Sequence, residues 1–185
     1  WAATASRPGV NLLPDLSEAT AAHLGEHARH DGRPGDVLIA SVHWGDNWGY
    51  GIPASHQRFA HALIDHGFDL VHGHSSHHAK GIELHRGKLV LYGCGDLLDD
   101  YEGITGHEAF RGDLALMYLP ELDSATGRLI SLEMLPLQIR RFRLNRASPG
   151  DAAWLAEVIA RESARLGTAV GMRGDGRIVV EAGGT

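Results

Sequence analysis

The chain has 185 residues, 43% of them hydrophobic and 22% charged, which fits a single soluble globular domain and excludes a disordered polyampholyte. A net charge of -6 argues against general nucleic-acid binding, and no stretch approaches the roughly 18 uninterrupted apolar residues of a membrane helix. The lone cysteine, Cys94, excludes an internal disulfide and any zinc site built on cysteines, whereas 13 histidines and 24 glycines suggest tight turns and metal or acid–base chemistry.

The first residue is Trp1, and no basic segment precedes an apolar run, so no signal peptide is visible. Asp15 to His30 predicts a first helix, with Asp15 and Glu18 at capping-box spacing and Gly32 and Pro34 ending it. Val37 to Val42 is a short β-branched run and predicts a buried strand. Pro53 suits a first helical position, and Phe59, Leu63 and His66 give Ser55 to His66 a helical face that ends at Gly67. Phe68 to Val71 then predicts a second strand, so strand, helix and strand form a βαβ unit with a parallel pair.

Ile82 to His85 and Leu89 to Tyr92 flank Arg86-Gly87-Lys88 and predict a hairpin. Asp113 to Pro120 and Arg128 to Ile139 predict two further strands, the second losing phase near Pro136 as an edge strand or a bulge would. Ser148-Pro149-Gly150-Asp151 is a capping box that opens a helix through Trp154, Leu155, Val158 and Ile159. Ile178 to Glu181 predicts a last strand. No repeat or linker divides the chain, so residues 1–185 read as one α/β domain.

Three segments follow predicted strands directly, which is where α/β sheets gather ligands. They are His43-Trp44-Gly45-Asp46, His72-Gly73-His74-Ser75-Ser76-His77-His78, and Tyr92-Gly93-Cys94-Gly95-Asp96. Four imidazoles within seven residues suit a metal such as zinc, iron or manganese, or a catalytic role. His43 and His74 should converge, because their strands are parallel neighbours. Asp96 stands where a ligand or a carboxylate orienting a ligand would stand. By contrast, His23, His27 and His30 read as a solvated helix face, and His61 with Asp65 as an i,i+4 surface pair. Cys94 reads as a buried structural thiol between two glycines.

In these segments, with Phe59 to Asp69 and Gly87 to Asp96, the sequence resembles the CapA family of bacterial poly-γ-glutamate capsule-synthesis proteins over roughly residues 36 to 120. The resemblance implies a four-layer α/β/β/α sandwich like that of calcineurin-like metallophosphatases, of which this chain is similar to the C-terminal half. It implies a centre of two divalent ions (manganese, zinc or iron), with His43, His72, His74, His77 and Asp96 as candidate ligands. His77 or His78 would protonate the leaving oxygen. Ser75 and Ser76 depart from the family's Gly-His-His-Pro-His pattern, and Asp96 stands where the family usually has Asn. The Asp and Asn-His ligands that the family draws from its first half have no counterpart before His43, so a partner chain or preceding half is expected to supply them. The implied activity is hydrolysis of a small phosphorylated or γ-glutamyl substrate, in the bacterial cytoplasm or cell envelope. The alternative is a non-catalytic metal-binding or scaffold subunit of a polymer-synthesis assembly.

Overall fold

Ser17 opens the first helix, α1 (Glu18–Asp31), where its hydroxyl accepts from the Thr20 amide at 3.2 Å and satisfies a free donor of the first turn. The sequence places that cap at Asp15; instead the Asp15 carboxylate accepts from the Ser17 amide and the Thr20 hydroxyl, bracing the cap from outside. The computed structural model describes residues 1–33, 35–99 and 104–181, so the helix stop expected at Pro34 lies outside the described residues.

Four strands form the first sheet. They are β1 (Ile39–His43), β2 (Leu70–His74), β3 (Ile82–His85) and β4 (Lys88–Leu91), with α2 (Ala54–Asp65) between β1 and β2. The order is β1-β2-β4-β3, parallel across the first three and antiparallel between β4 and β3. The predicted βαβ unit and hairpin are both present, with β1 and β2 beginning two residues later than the apolar runs. One face is covered by α1 and α2, where Ala21, Phe59 and Leu63 pack against Val42, Val71 and Val90.

The second sheet is antiparallel throughout and holds β5 (Leu114–Leu122), β6 (Leu129–Ile139), β7 (Leu144–Arg146), β8 (Gly171–Met172) and β9 (Ile178–Glu181). Its order is β5-β6-β9-β8, with β7 also paired to β6. Contrary to the edge-strand expectation, β6 is central and stays in register through Pro136, which pairs with Leu116. Pro136 falls between the partners of β9, which end at Met134, and those of β7, which begin at Leu137. No ladder donor is needed at that gap, so proline is tolerated. The irregularity lies instead at the start of β6, where Ile130 is the extra residue opposite the step from Glu121 to Leu122 of β5.

One core joins the sheets: Leu70, Leu89 and Leu91 of the first meet Leu116, Leu132 and Met134 of the second. The third helix, α3 (Pro149–Ala164), adds Leu155 and Ile159 to it, and opens at Ser148 as its capping box predicts. Together with the segment that follows it, α3 also closes the outer edge of β3. The Ile82 amide donates to Ser163 Oγ at 3.0 Å and the Leu84 amide to Thr168 Oγ1 at 3.2 Å, so the edge is not left open for another strand. The architecture is mixed α/β with two sheets and three helices. An outer helical layer on the second sheet, as the four-layer expectation requires, is not seen among the described residues, because α3 packs into the core between the sheets. No helix among them is long and apolar enough to cross a membrane.

Candidate metal and catalytic site

The register of β1 and β2 sets His43 directly beside His74 and Ser41 beside His72. Side chains alternate along a strand, so these four share the face opposite Ala40, Val42 and Val71. His43 Nδ1 and His74 Nδ1 lie 3.3 Å apart, and their rings meet edge to face at 5.2 Å. Ser41 Oγ bonds His72 Nδ1 at 3.0 Å, and the His72 and His74 rings are 5.5 Å apart. The two histidines therefore converge.

Two nitrogens bound at about 2.0–2.1 Å to one tetrahedral ion lie roughly 3.3–3.4 Å from each other. The His43–His74 pair has that bite. It supplies only two donors, and no group of three or more His, Cys, Asp or Glu that could hold a metal ion exists among the described residues. The residues described fit part of a metal site and do not complete one.

His77 and Asp96 form a second cluster. His77 Nδ1 donates to Asp96 Oδ2 at 2.8 Å, which fixes the orientation of the ring. The His77 amide donates to the Asn47 carbonyl at 3.0 Å, and the Trp48 ring lies 5.3 Å from the imidazole. Both residues line a cavity of about 280 Å³, together with Trp48, His107 and Arg111. Arg111 holds that wall: it grips Asp113 with two bonds of 2.7 and 2.9 Å and reaches Asp151 at the start of α3 at 2.8 Å. Asp96 is thus brought against His77.

His78 sits elsewhere. It is 2% exposed and enclosed by the rings of Trp48, Tyr50 and Phe110. Its Nδ1 donates to the Ala79 carbonyl at 3.0 Å. A proton donor to a leaving group needs access to substrate, and His78 has none in this structure.

Burial holds the imidazoles of His72, His74 and His78 below their usual pKa, and for His74 the neighbouring His72 and His43 add to the effect. These rings stay neutral in the folded chain, as ligation requires. The unfolded chain takes up these protons near pH 6.5, and the folded chain only at lower pH. The unfolded state therefore binds more protons in that window, and stability falls as pH drops through about 6.5. The melting temperature should be lower at pH 5.5 than at pH 7.5, and His78→Phe should narrow the difference. An unchanged difference in that variant would show that His78 is not among the groups responsible.

Cys94 is partly buried against the shared core, and burial pushes its thiol up to about 12, which fits a structural role. His23, His27 and His30 are exposed, as a solvated face should be. The expected His61–Asp65 pair does not form. His61 bonds Glu83 at 2.8 Å and Asp65 bonds His85 at 3.1 Å, because β3 brings stronger partners than the helix's own surface. Sequence reasoning missed Lys80, which is 6% exposed with its ammonium pKa lowered by burial and countered by Asp46. The signal was a lysine between Ala79 and Gly81, directly before an apolar strand. Arg111 carried no such signal, since one of its two partners, Asp151, lies on α3, 40 residues further along the chain.

A match to the family described as "Bacterial capsule synthesis protein PGA_cap" covers residues 1–101, reaching further towards Trp1 than the motifs alone. A "probable polyglutamine synthesis accessory protein" of Mycobacterium tuberculosis is 52% identical over 181 residues, which is 97% of this chain and 48% of that protein. The PGA biosynthesis protein CapA of Bacillus subtilis is 28% identical over 139 residues, covering 75% of this chain and 33% of that protein. The capsule biosynthesis protein CapA of Bacillus anthracis is 25% identical over 105 residues, or 57% of this chain and 24% of that protein. The chain spans about half the length, or less, of the curated relatives it matches.

Proposed function

The chain belongs to the bacterial capsule synthesis PGA_cap family, and from that premise we propose that it supplies part of a metal-dependent hydrolase site serving polyglutamate or capsule polymer synthesis. The substrate would be a small phosphorylated or γ-glutamyl compound. The observation that carries this reading is the 3.3 Å separation of His43 Nδ1 and His74 Nδ1, the bite of two ligands on one ion. A bound divalent ion would polarise a phosphoryl or acyl oxygen and activate water. In this reading His43 and His74 hold the ion, and His77, oriented by Asp96, moves a proton from its cavity.

The remaining donors must come from outside the described residues. β1 is an edge strand, and a groove of about 830 Å³ lined by Val10, Leu12, Leu13 and Leu16 runs beside His43 and His74. A further strand or loop on that side would reach the pair, in keeping with relatives about twice as long. Similarity to an accessory protein of polymer synthesis also favours the second reading, a metal-binding or scaffold subunit without turnover.

The two readings separate in an aryl phosphate assay of a chain of the relatives' full length, loaded with Mn²⁺ or Zn²⁺. The hydrolase reading expects turnover that falls at least about 100-fold in His43→Ala and in His74→Ala. Turnover that survives both substitutions, or no turnover under any loading, would leave the scaffold reading.

A further inference from the structure

The β6–β7 hairpin turns through Arg141 and Phe142, both at positive φ, 55° and 54°. The flanking Arg140 and Arg143 exchange two backbone hydrogen bonds of 2.9 and 3.2 Å. This is a primed two-residue turn, which Asn-Gly or Gly-Gly makes without strain. Arginine and phenylalanine carry a Cβ that resists the left-handed region, and strain of this kind gathers at functional sites. The hairpin is also braced. Asn145 Nδ2 donates to the carbonyls of Gln138, Arg140 and Arg143 at 3.3, 3.2 and 3.0 Å.

The braced turn makes a concavity of about 630 Å³, lined by Gln138, Arg140, Arg141, Arg143, Asn145 and Arg146. Four arginines gather there on a chain whose net charge is -6. Elsewhere arginines such as Arg111 and Arg173 are paired with carboxylates. No ion pair joins these four to a carboxylate among the described residues. The concavity adjoins the His77–Asp96 cavity: Ile139 lines that cavity, and Gln138 Nε2 donates at 3.0 Å to Asp113 on its wall.

We propose that this hairpin binds an extended polycarboxylate chain, with Arg140, Arg141, Arg143 and Arg146 taking successive carboxylates and the chain's end directed to the His77–Asp96 cavity. The binding stands on the hairpin alone, whereas the choice of carboxylates and the direction of the end rest on the polymer function proposed above. Guanidinium groups suit carboxylates because two parallel N–H donors match two oxygens. A concave, arginine-lined turn suits a chain lying within it better than a flat lipid surface. Exposed Phe142, at 63%, would pack along the chain's methylenes.

The test is fluorescence anisotropy with a labelled glutamate oligomer of about ten residues, in EDTA so that the outcome is independent of any metal. Binding should weaken as salt rises, since it replaces ions around the oligomer. Arg140→Gln with Arg143→Gln should weaken it at least about tenfold, and Arg58→Gln, on the surface of α2, by less than about twofold. Arg141→Asn with Phe142→Gly relieves the turn, so it should raise the melting temperature and yet weaken binding. Affinity unchanged in both hairpin variants would overturn the proposal. So would a DNA oligomer of equal charge that binds as tightly and loses affinity in the same variants.

Discussion

Gly73→Ala should lower the stability of the chain by about 2–4 kcal/mol and part His43 from His74. An added Cβ at Gly73 would lie 2.4 Å from Trp44 Nε1, 2.6 Å from the Tyr92 carbonyl oxygen and 2.7 Å from that of Leu91. None of the three can yield cheaply. Trp44 is buried, stacks on His56 and Tyr92, and donates from Nε1 to the Tyr92 carbonyl at 3.0 Å. The other two atoms are backbone. β2 would therefore have to move away from β4, taking His74 out of register with His43. Overpacking of this kind typically costs about 1–3 kcal/mol, and the lost indole hydrogen bond adds about 1 kcal/mol. At about 2–4 °C per kcal/mol for a chain of this size, the melting temperature should drop by roughly 5–15 °C. A variant melting within about 2 °C of the parent would mean that the strand end has slack the structure does not show.

His43→Ala and His74→Ala should each lower affinity for Zn²⁺ or Co²⁺ at least about 100-fold, as read by competition with a chromophoric chelator. Loss of an outer partner alone typically weakens metal binding about 10–100-fold, and these substitutions remove a nitrogen donor itself. His77→Ala should have a much smaller effect, because Asp96 and the Trp48 cavity hold that ring in the second cluster. Equal losses for His77 and His74 would mean that the two clusters act as one centre.

Much of this arrangement was legible in the sequence, because strand ends in a βαβ unit are set by short-range patterns. Val37 to Val42 and Phe68 to Val71 announced parallel neighbours, and the positions of His43 and His74 after them followed. The tautomers and pairings did not follow. Whether Asp96 met His77 or the His43 pair depended on how the loop after β4 turned, and apolar periodicity carries nothing about that. His78 looked equivalent to its neighbours in sequence, yet it is sealed by Phe110 and Tyr50, which lie 32 and 28 residues away along the chain. Pro136 misled for a similar reason. A proline in a strand suggests an edge, and only the gap between β7 and β9 explains a central one. The arginine hairpin gave no sign, because Arg-Phe is a poor primed turn and its conformation comes from Asn145 and the flanking ladder.

The most direct measurement is the X-ray absorption fine structure of zinc bound to residues 1–185. The expected first shell holds two imidazole nitrogens at about 2.0–2.1 Å, with water or buffer oxygens filling the remaining positions. One imidazole should vanish from the spectrum in His43→Ala, and one in His74→Ala. A shell of three or more imidazoles, or a shell unchanged in both variants, would contradict a two-nitrogen half-site built by β1 and β2.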